Sequence, residues 1–123
     1  MNWTEASLLI KYTIKKGADV NSQKSNFRFV DQVPPFQCRR YNFKNAEGYK
    51  VSIGVRDFVE IPITMLETVF NLAIENNRIY NNKVFADAFP KQAKDHGCHV
   101  HVVGRIFELS GIANKKGGNY EIL

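Results

Sequence analysis

Four side chains of metal-ligand type crowd into one short stretch of this chain: His96, Cys98, His99 and His101. Imidazole and thiolate are ligands that zinc prefers, and a structural zinc takes four of them. A thiol beside histidines is also the raw material of a nucleophile with its base. Spacing discriminates among these readings. If Cys98 opens a helix, each residue turns by about 100°, so Cys98 and His101 lie about 60° apart while His99 and His101 diverge by about 200°. One pair converges and the four do not. Elsewhere only Cys38 offers a further sulfur. The expectation is therefore no metal and no cofactor. His99 and Cys98 fall on the apolar side of the same helix, which predicts a core histidine and a buried, inert thiol.

The other candidates are cations and carboxylates. Arg105 can donate two hydrogen bonds to a guanine edge, or pair with Glu108 three residues on. Lys115 and Lys116 can neutralise phosphates, or simply keep a turn soluble. Arg39 and Arg40 can extend a basic surface. Asp31, Glu47, Asp57 and Glu60 occupy a region that reads as sheet, where a small metal-dependent nuclease would gather them, although no spacing demands it. No phosphate-binding glycine loop, nucleophile elbow or zinc-protease pattern occurs.

The 123 residues are 44% hydrophobic and carry a net charge of +5. That length bounds the chain to one domain, or two very small ones, with a real core. The positive charge favours an anionic partner. It is shared along the chain: residues 78–119 hold seven basic and three acidic side chains, residues 1–60 ten and six. No run of about 18 apolar residues exists to span a membrane, and Lys11 interrupts Leu8-Leu9-Ile10 where a signal segment needs a longer apolar run. The two distant cysteines read as reduced thiols in a cytoplasmic protein.

These residues need elements to position them. Thr4 is the expected cap of a helix over about 4–16, with Ala6, Leu9, Ile10, Thr13 and Ile14 at helical spacing. Residues 18–26 read as a polar turn. Residues 27–33, 36–43, 49–55 and 58–61 read as strands of an antiparallel meander, broken at Pro34-Pro35 because proline has no N–H to donate and turning at 44–48. Thr64 with Glu67 forms a capping box that predicts a helix over 64–77. A short strand at 78–80 and a helix capped by Asn81 or Asn82 follow, ending at Pro90. Residues 91–97 read as a polar connection, 98–110 as an amphipathic helix, and 112–123 as a hairpin turning at Gly117-Gly118. Gly104 inside that helix costs about 1 kcal/mol against Ala, and leaves room for a neighbouring helix or a DNA backbone to approach.

From residue 64 onward the order is helix, short extended piece, helix, turn, helix, hairpin. This resembles the winged helix-turn-helix family over roughly residues 60–123. The resemblance implies that helix 98–110 enters the DNA major groove and that the hairpin touches phosphate. Carried over, His101 and Arg105 face the groove, Lys94 and His96 stand at its entrance, and Lys115, Lys116 and Asn119 are wing contacts. The connection 90–97 is longer than the turn of a compact helix-turn-helix.

The expected architecture is α+β: an N-terminal helix and meander over 1–61, then a winged-helix unit over 62–123, the two possibly one compact body. The expected function is non-catalytic binding of double-stranded DNA, as a regulator or accessory subunit. Two alternatives stay open: a protein-interaction module that pairs with a partner or with itself, and the small nuclease.

Overall fold

The computed structural model describes residues 1–21 and 28–123. Among the described residues it is a mixed α/β structure: five α-helices and two small antiparallel sheets. Helix α1 (Trp3–Thr13) is capped by Asn2, whose Oδ1 accepts from the Glu5 backbone N–H at 2.9 Å. Thr4 is not the cap. It lies inside the first turn, because asparagine satisfies the orphan donors two residues earlier. The helix ends three residues short of position 16, and Gly17, at φ +87°, turns its N–H onto the Val30 carbonyl. Ala6 and Ile10 are buried, whereas Leu9 is 38% exposed.

The first sheet is built on β3 (Ala46–Ile53). It pairs with β1 (Arg28–Gln32) through Val30↔Val51 and with β4 (Phe58–Pro62) through Val51↔Val59. Val30, Tyr49, Val51, Val59 and Ile61 thus share the inner face, and all are buried. The expected meander order is not found. Strand β2 (Gln37–Cys38) does not pair with β1; both pair with successive stretches of β3, β2 at Ala46 and Glu47. Pro34-Pro35 explains this: two residues without N–H interrupt the ladder, and the chain rejoins the same partner beyond them. The expected strand 36–43 shrinks to two residues for a different reason. Glu60, buried on β4, accepts from the backbone N–H groups of Arg39 (3.0 Å) and Arg40 (2.7 Å). Those donors are lost to a ladder. The chain instead reverses through Tyr41, Asn42, Lys44 and Asn45, all at positive φ. Of the expected turn 18–26 and strand 27–33, residues 22–27 lie outside the described residues.

Helix α2 (Ile63–Glu75) starts directly after β4, with the extended Pro62 in the cap position and no side-chain cap. Thr64 is already helical, so the capping box does not form. Met65, Leu66, Val69, Phe70 and Ala73 are buried. Then come β5 (Ile79–Tyr80) and α3 (Asn82–Ala88), where Asn81 Oδ1 accepts from Val84 N–H at 3.0 Å. Pro90 ends α3 but opens α4 (Pro90–Asp95), since its fixed φ suits a first helical position. The expected polar connection is therefore mostly helix. Helix α5 (Cys98–Leu109) leads into the hairpin β6 (Ala113–Lys116) and β7 (Asn119–Ile122), and the second sheet has the order β5-β7-β6.

One hydrophobic cluster runs through both halves of the chain, from Ala6 to Ile122. Aromatic contacts thread it: Trp3 to Phe70 (5.6 Å between centroids), Phe70 to Phe107 (6.3 Å), Phe107 to Tyr80 (5.6 Å) and Tyr80 to Tyr120 (5.9 Å). Such pairs hold orientation as well as area. Among the described residues, no helix is long and apolar enough to cross a membrane.

Candidate nucleic-acid interface

Helix α5 is mostly interior. Within it only His101 is exposed, while Cys98, Arg105, Glu108 and Leu109 are half-buried. Cys98, His101, Arg105 and Glu108 recur at three- and four-residue spacing, so the helix shows the surface a single narrow stripe. Arg105 is committed within that stripe: its Nη1 donates to Glu108 Oε1 at 2.7 Å, and both side chains are about three-quarters buried. Of the two readings of Arg105, the pair with Glu108 is the one the resting geometry displays. A base contact requires the guanidinium to leave it.

The hairpin is anchored on this helix at Gly104. A Cβ at position 104 would overlap the Tyr120 ring, so glycine is needed for the strand to approach. The close approach is thus made by β7. Tyr120 pairs across the hairpin with Lys115, and Lys116 with Asn119. Side chains alternate faces along a strand, so the two lysines part. Lys115 shares the inner face with Tyr120, its Nζ 6.0 Å from the ring centroid. Lys116 lies on the outer face, 2.9 Å from Glu121. Asn119, also outer, accepts from Asn81 Nδ2 at 3.3 Å and ties the hairpin to the start of α3. Lys94 is exposed on α4. His96 is half-buried, its ring 6.2 Å from that of His99 between centroids, and its backbone carbonyl accepts from His99 Nδ1 at 2.8 Å.

Of the proposed contacts, His101 and Arg105 share one stripe of α5, Lys115 lies on the hairpin face of Tyr120, Lys116 and Asn119 lie on the opposite hairpin face, and Lys94 is exposed on α4. The structure adds Asn82, which lines a surface hollow with Ala93, Gly97, Cys98, Val100 and His101. Sequence reasoning used Asn82 only as a possible cap. Its signal was present: in an Asn-Asn pair only one residue can cap, and the other remains for something else.

The metal-ligand side chains of residues 96–101 are dispersed by the fold. His99 is 1% exposed, its ring stacked on Phe85 at 5.9 Å and edge-on to Tyr41 at 6.2 Å. Burial lowers its pKa, outweighing the His96 carbonyl that favours the protonated ring. Among the described residues, no three His, Cys, Asp or Glu side chains are grouped to hold an ion. The sheet carboxylates are not gathered either: Asp31 is 3.8 Å from Lys50, Asp57 accepts from the Phe58 N–H, and Glu60 holds the Arg39–Arg40 backbone. Neither cysteine forms a disulfide. Cys38 is buried, and burial, with Glu60 nearby, pushes it up to about 12. Cys98 is half-buried rather than buried, because Gly97 starts α5 at the edge of the hollow.

Comparison with protein-family models, curated proteins and solved structures returns no match for this chain.

Proposed function

We propose that this chain is a non-catalytic DNA-binding protein of winged-helix type, a regulator or accessory subunit. The observation that carries the reading is the placement of the hairpin. Sheet order β5-β7-β6 and the Tyr120–Gly104 contact hold the hairpin, with Lys115 on the face that Tyr120 shares, against the backbone of α5. Gly104 follows His101 by three residues and precedes Glu108 by four, so all three are neighbours on the helix surface. In this reading Lys115, Lys116 and Lys94 contact phosphate and supply most of the affinity. His101 and, once released from Glu108, Arg105 supply any base preference. The narrow stripe predicts weak sequence discrimination.

The test is a fluorescence titration of labelled random-sequence duplex DNA at about 50 and 200 mM salt. Binding that weakens steeply with salt, and is lost in Lys115→Glu/Lys116→Glu, supports the reading. Absence of binding at the lower salt defeats it.

A protein-interaction role is favoured by a separate observation. Helix α1 leaves Leu8 65% and Tyr12 81% exposed on adjacent turns. Contiguous exposed apolar surface is where another protein chain docks, and these two side chains would be its centre. Loss of a co-purifying partner, or of self-association, in Leu8→Glu/Tyr12→Glu would support this second role.

A further inference from the structure

The outer face of the first sheet has a chemistry that the hairpin lacks. Register places Phe29, Ser52 and Phe58 in one row across β1, β3 and β4, with Lys50 and Glu60 in the next. Two shallow grooves run along this face and share Lys50 and Phe58. One continues to Phe36 and Arg39, the other to Phe29 and Arg56. The cations are held over an aromatic: the Arg40 guanidinium carbon lies 4.1 Å, and Lys50 Nζ 4.3 Å, from the Phe58 ring centroid. Arg40 Nη1 also donates to the Phe58 carbonyl at 3.3 Å. Phe29 is 43% exposed beside them.

The carboxylates of this face are occupied within the fold. Glu60 is 6% exposed and accepts from two backbone N–H groups. Asp57 accepts from the Phe58 N–H, and Asp31 stands 3.8 Å from Lys50. Lys50 is the other half of the Asp31 pair, so what the face offers a visitor is chiefly three arginines, Arg39, Arg40 and Arg56, beside the Phe29, Phe36 and Phe58 rings.

We infer that this sheet face is a platform for single-stranded nucleic acid. Phosphates would follow the cations. Unstacked bases would lie on the open Phe29 ring and on the Arg40 guanidinium plane, since both aromatic rings and arginine planes accept a base face. Duplex DNA hides its base faces and gains nothing from Phe29. An acidic peptide would match the charge but make no use of the exposed ring. The inference does not rest on duplex binding by the hairpin, and either can fail alone.

The test uses the full chain and labelled oligothymidylate and oligouridylate of about 12 nucleotides, within the usual site size. Anisotropy at about 50 mM salt should show binding of at least one, weakened by salt. Phe29→Ala should weaken it by about tenfold, with an unchanged circular-dichroism spectrum because the ring is exposed. Arg56→Glu should weaken it as well, and Lys83→Glu, an exposed position on α3, should leave it unchanged. Preference between the two oligomers identifies DNA or RNA as the source of the strand. The inference is overturned if neither oligomer binds, if Phe29→Ala leaves affinity intact, if Lys83→Glu abolishes binding, or if polyglutamate competes as well as the oligonucleotide.

Discussion

The Tyr120 ring fills the space that a side chain at position 104 would take, so a strand of the hairpin lies directly against the helix backbone at Gly104. Helix propensity alone favours Gly104→Ala by about 1 kcal/mol. Steric overlap with a buried aromatic opposes it, and overpacking costs about 1–3 kcal/mol. The overlap should prevail, giving a net loss of about 1 kcal/mol or more in urea unfolding. Pairing the substitution with Tyr120→Leu should recover part of that loss. A double-mutant cycle without coupling would mean that the two residues do not press on each other.

Much of this geometry was legible in the sequence, and the failures have identifiable causes. Helices α2 and α5 and the hairpin stand out because their apolar spacing and Gly117 turn are local signals. The Asn2 cap was overlooked because Thr4 is also a good cap, and only the backbone decides between them. The capping box at Thr64 failed because β4 runs straight into α2 and leaves Pro62 in the cap position. The second strand failed because Glu60, twenty residues away, takes the N–H groups of Arg39 and Arg40. In the candidate interface, residue types were readable. Which hairpin face each lysine occupies became clear only through register with Tyr120.

Glu60 should therefore be a fold determinant of the first sheet. One carboxylate oxygen satisfies two backbone donors, and hydrogen bonds to charged groups are worth about 1.5–3 kcal/mol. Glu60→Ala should cost about 2–3 kcal/mol in chemical denaturation. Glu60→Gln, which keeps a carbonyl acceptor, should cost less. Equal losses in the two variants would show that packing, and not acceptance from Arg39 and Arg40, is what Glu60 supplies.

His99 makes stability depend on pH. Its folded pKa is lowered from 6.5, mainly by burial between Phe85 and Tyr41, with the His96 and Glu60 carbonyls opposing that shift and the charges of His96 and Arg40 adding to it. The unfolded chain then binds a proton first on acidification. The stabilisation is present above about pH 6.5 and is lost as pH falls from there through the folded pKa. The urea midpoint should drop between pH 7 and pH 5, and His99→Phe should flatten that drop. An unchanged slope in the variant would assign the acid sensitivity to other groups.

Cys38 should be the protected thiol. It is buried, with its pKa pushed up to about 12 by desolvation and then by Glu60, so almost no thiolate forms near neutral pH. In Cys98→Ser the remaining thiol should stay silent toward an aromatic disulfide reagent in native buffer and react fully in denaturant. Rapid native reaction would place Cys38 at the surface.

Arg105 gives the sharpest prediction for the duplex interface. It is held by Glu108 at 2.7 Å, with both side chains about three-quarters buried, so the anion both occupies the guanidinium and repels phosphate. Glu108→Gln removes the repulsion and loosens the pair. If Arg105 reaches DNA, duplex affinity should rise several-fold, and selection from random duplexes should sharpen at one base pair. Arg105→Ala should then weaken binding at that base pair alone, whereas Lys115→Ala should weaken all sequences alike and reduce the salt slope by about one. Should Glu108→Gln leave the affinity where it was, Arg105 is a structural partner of Glu108, and the stripe on α5 contributes His101 alone to any base contact.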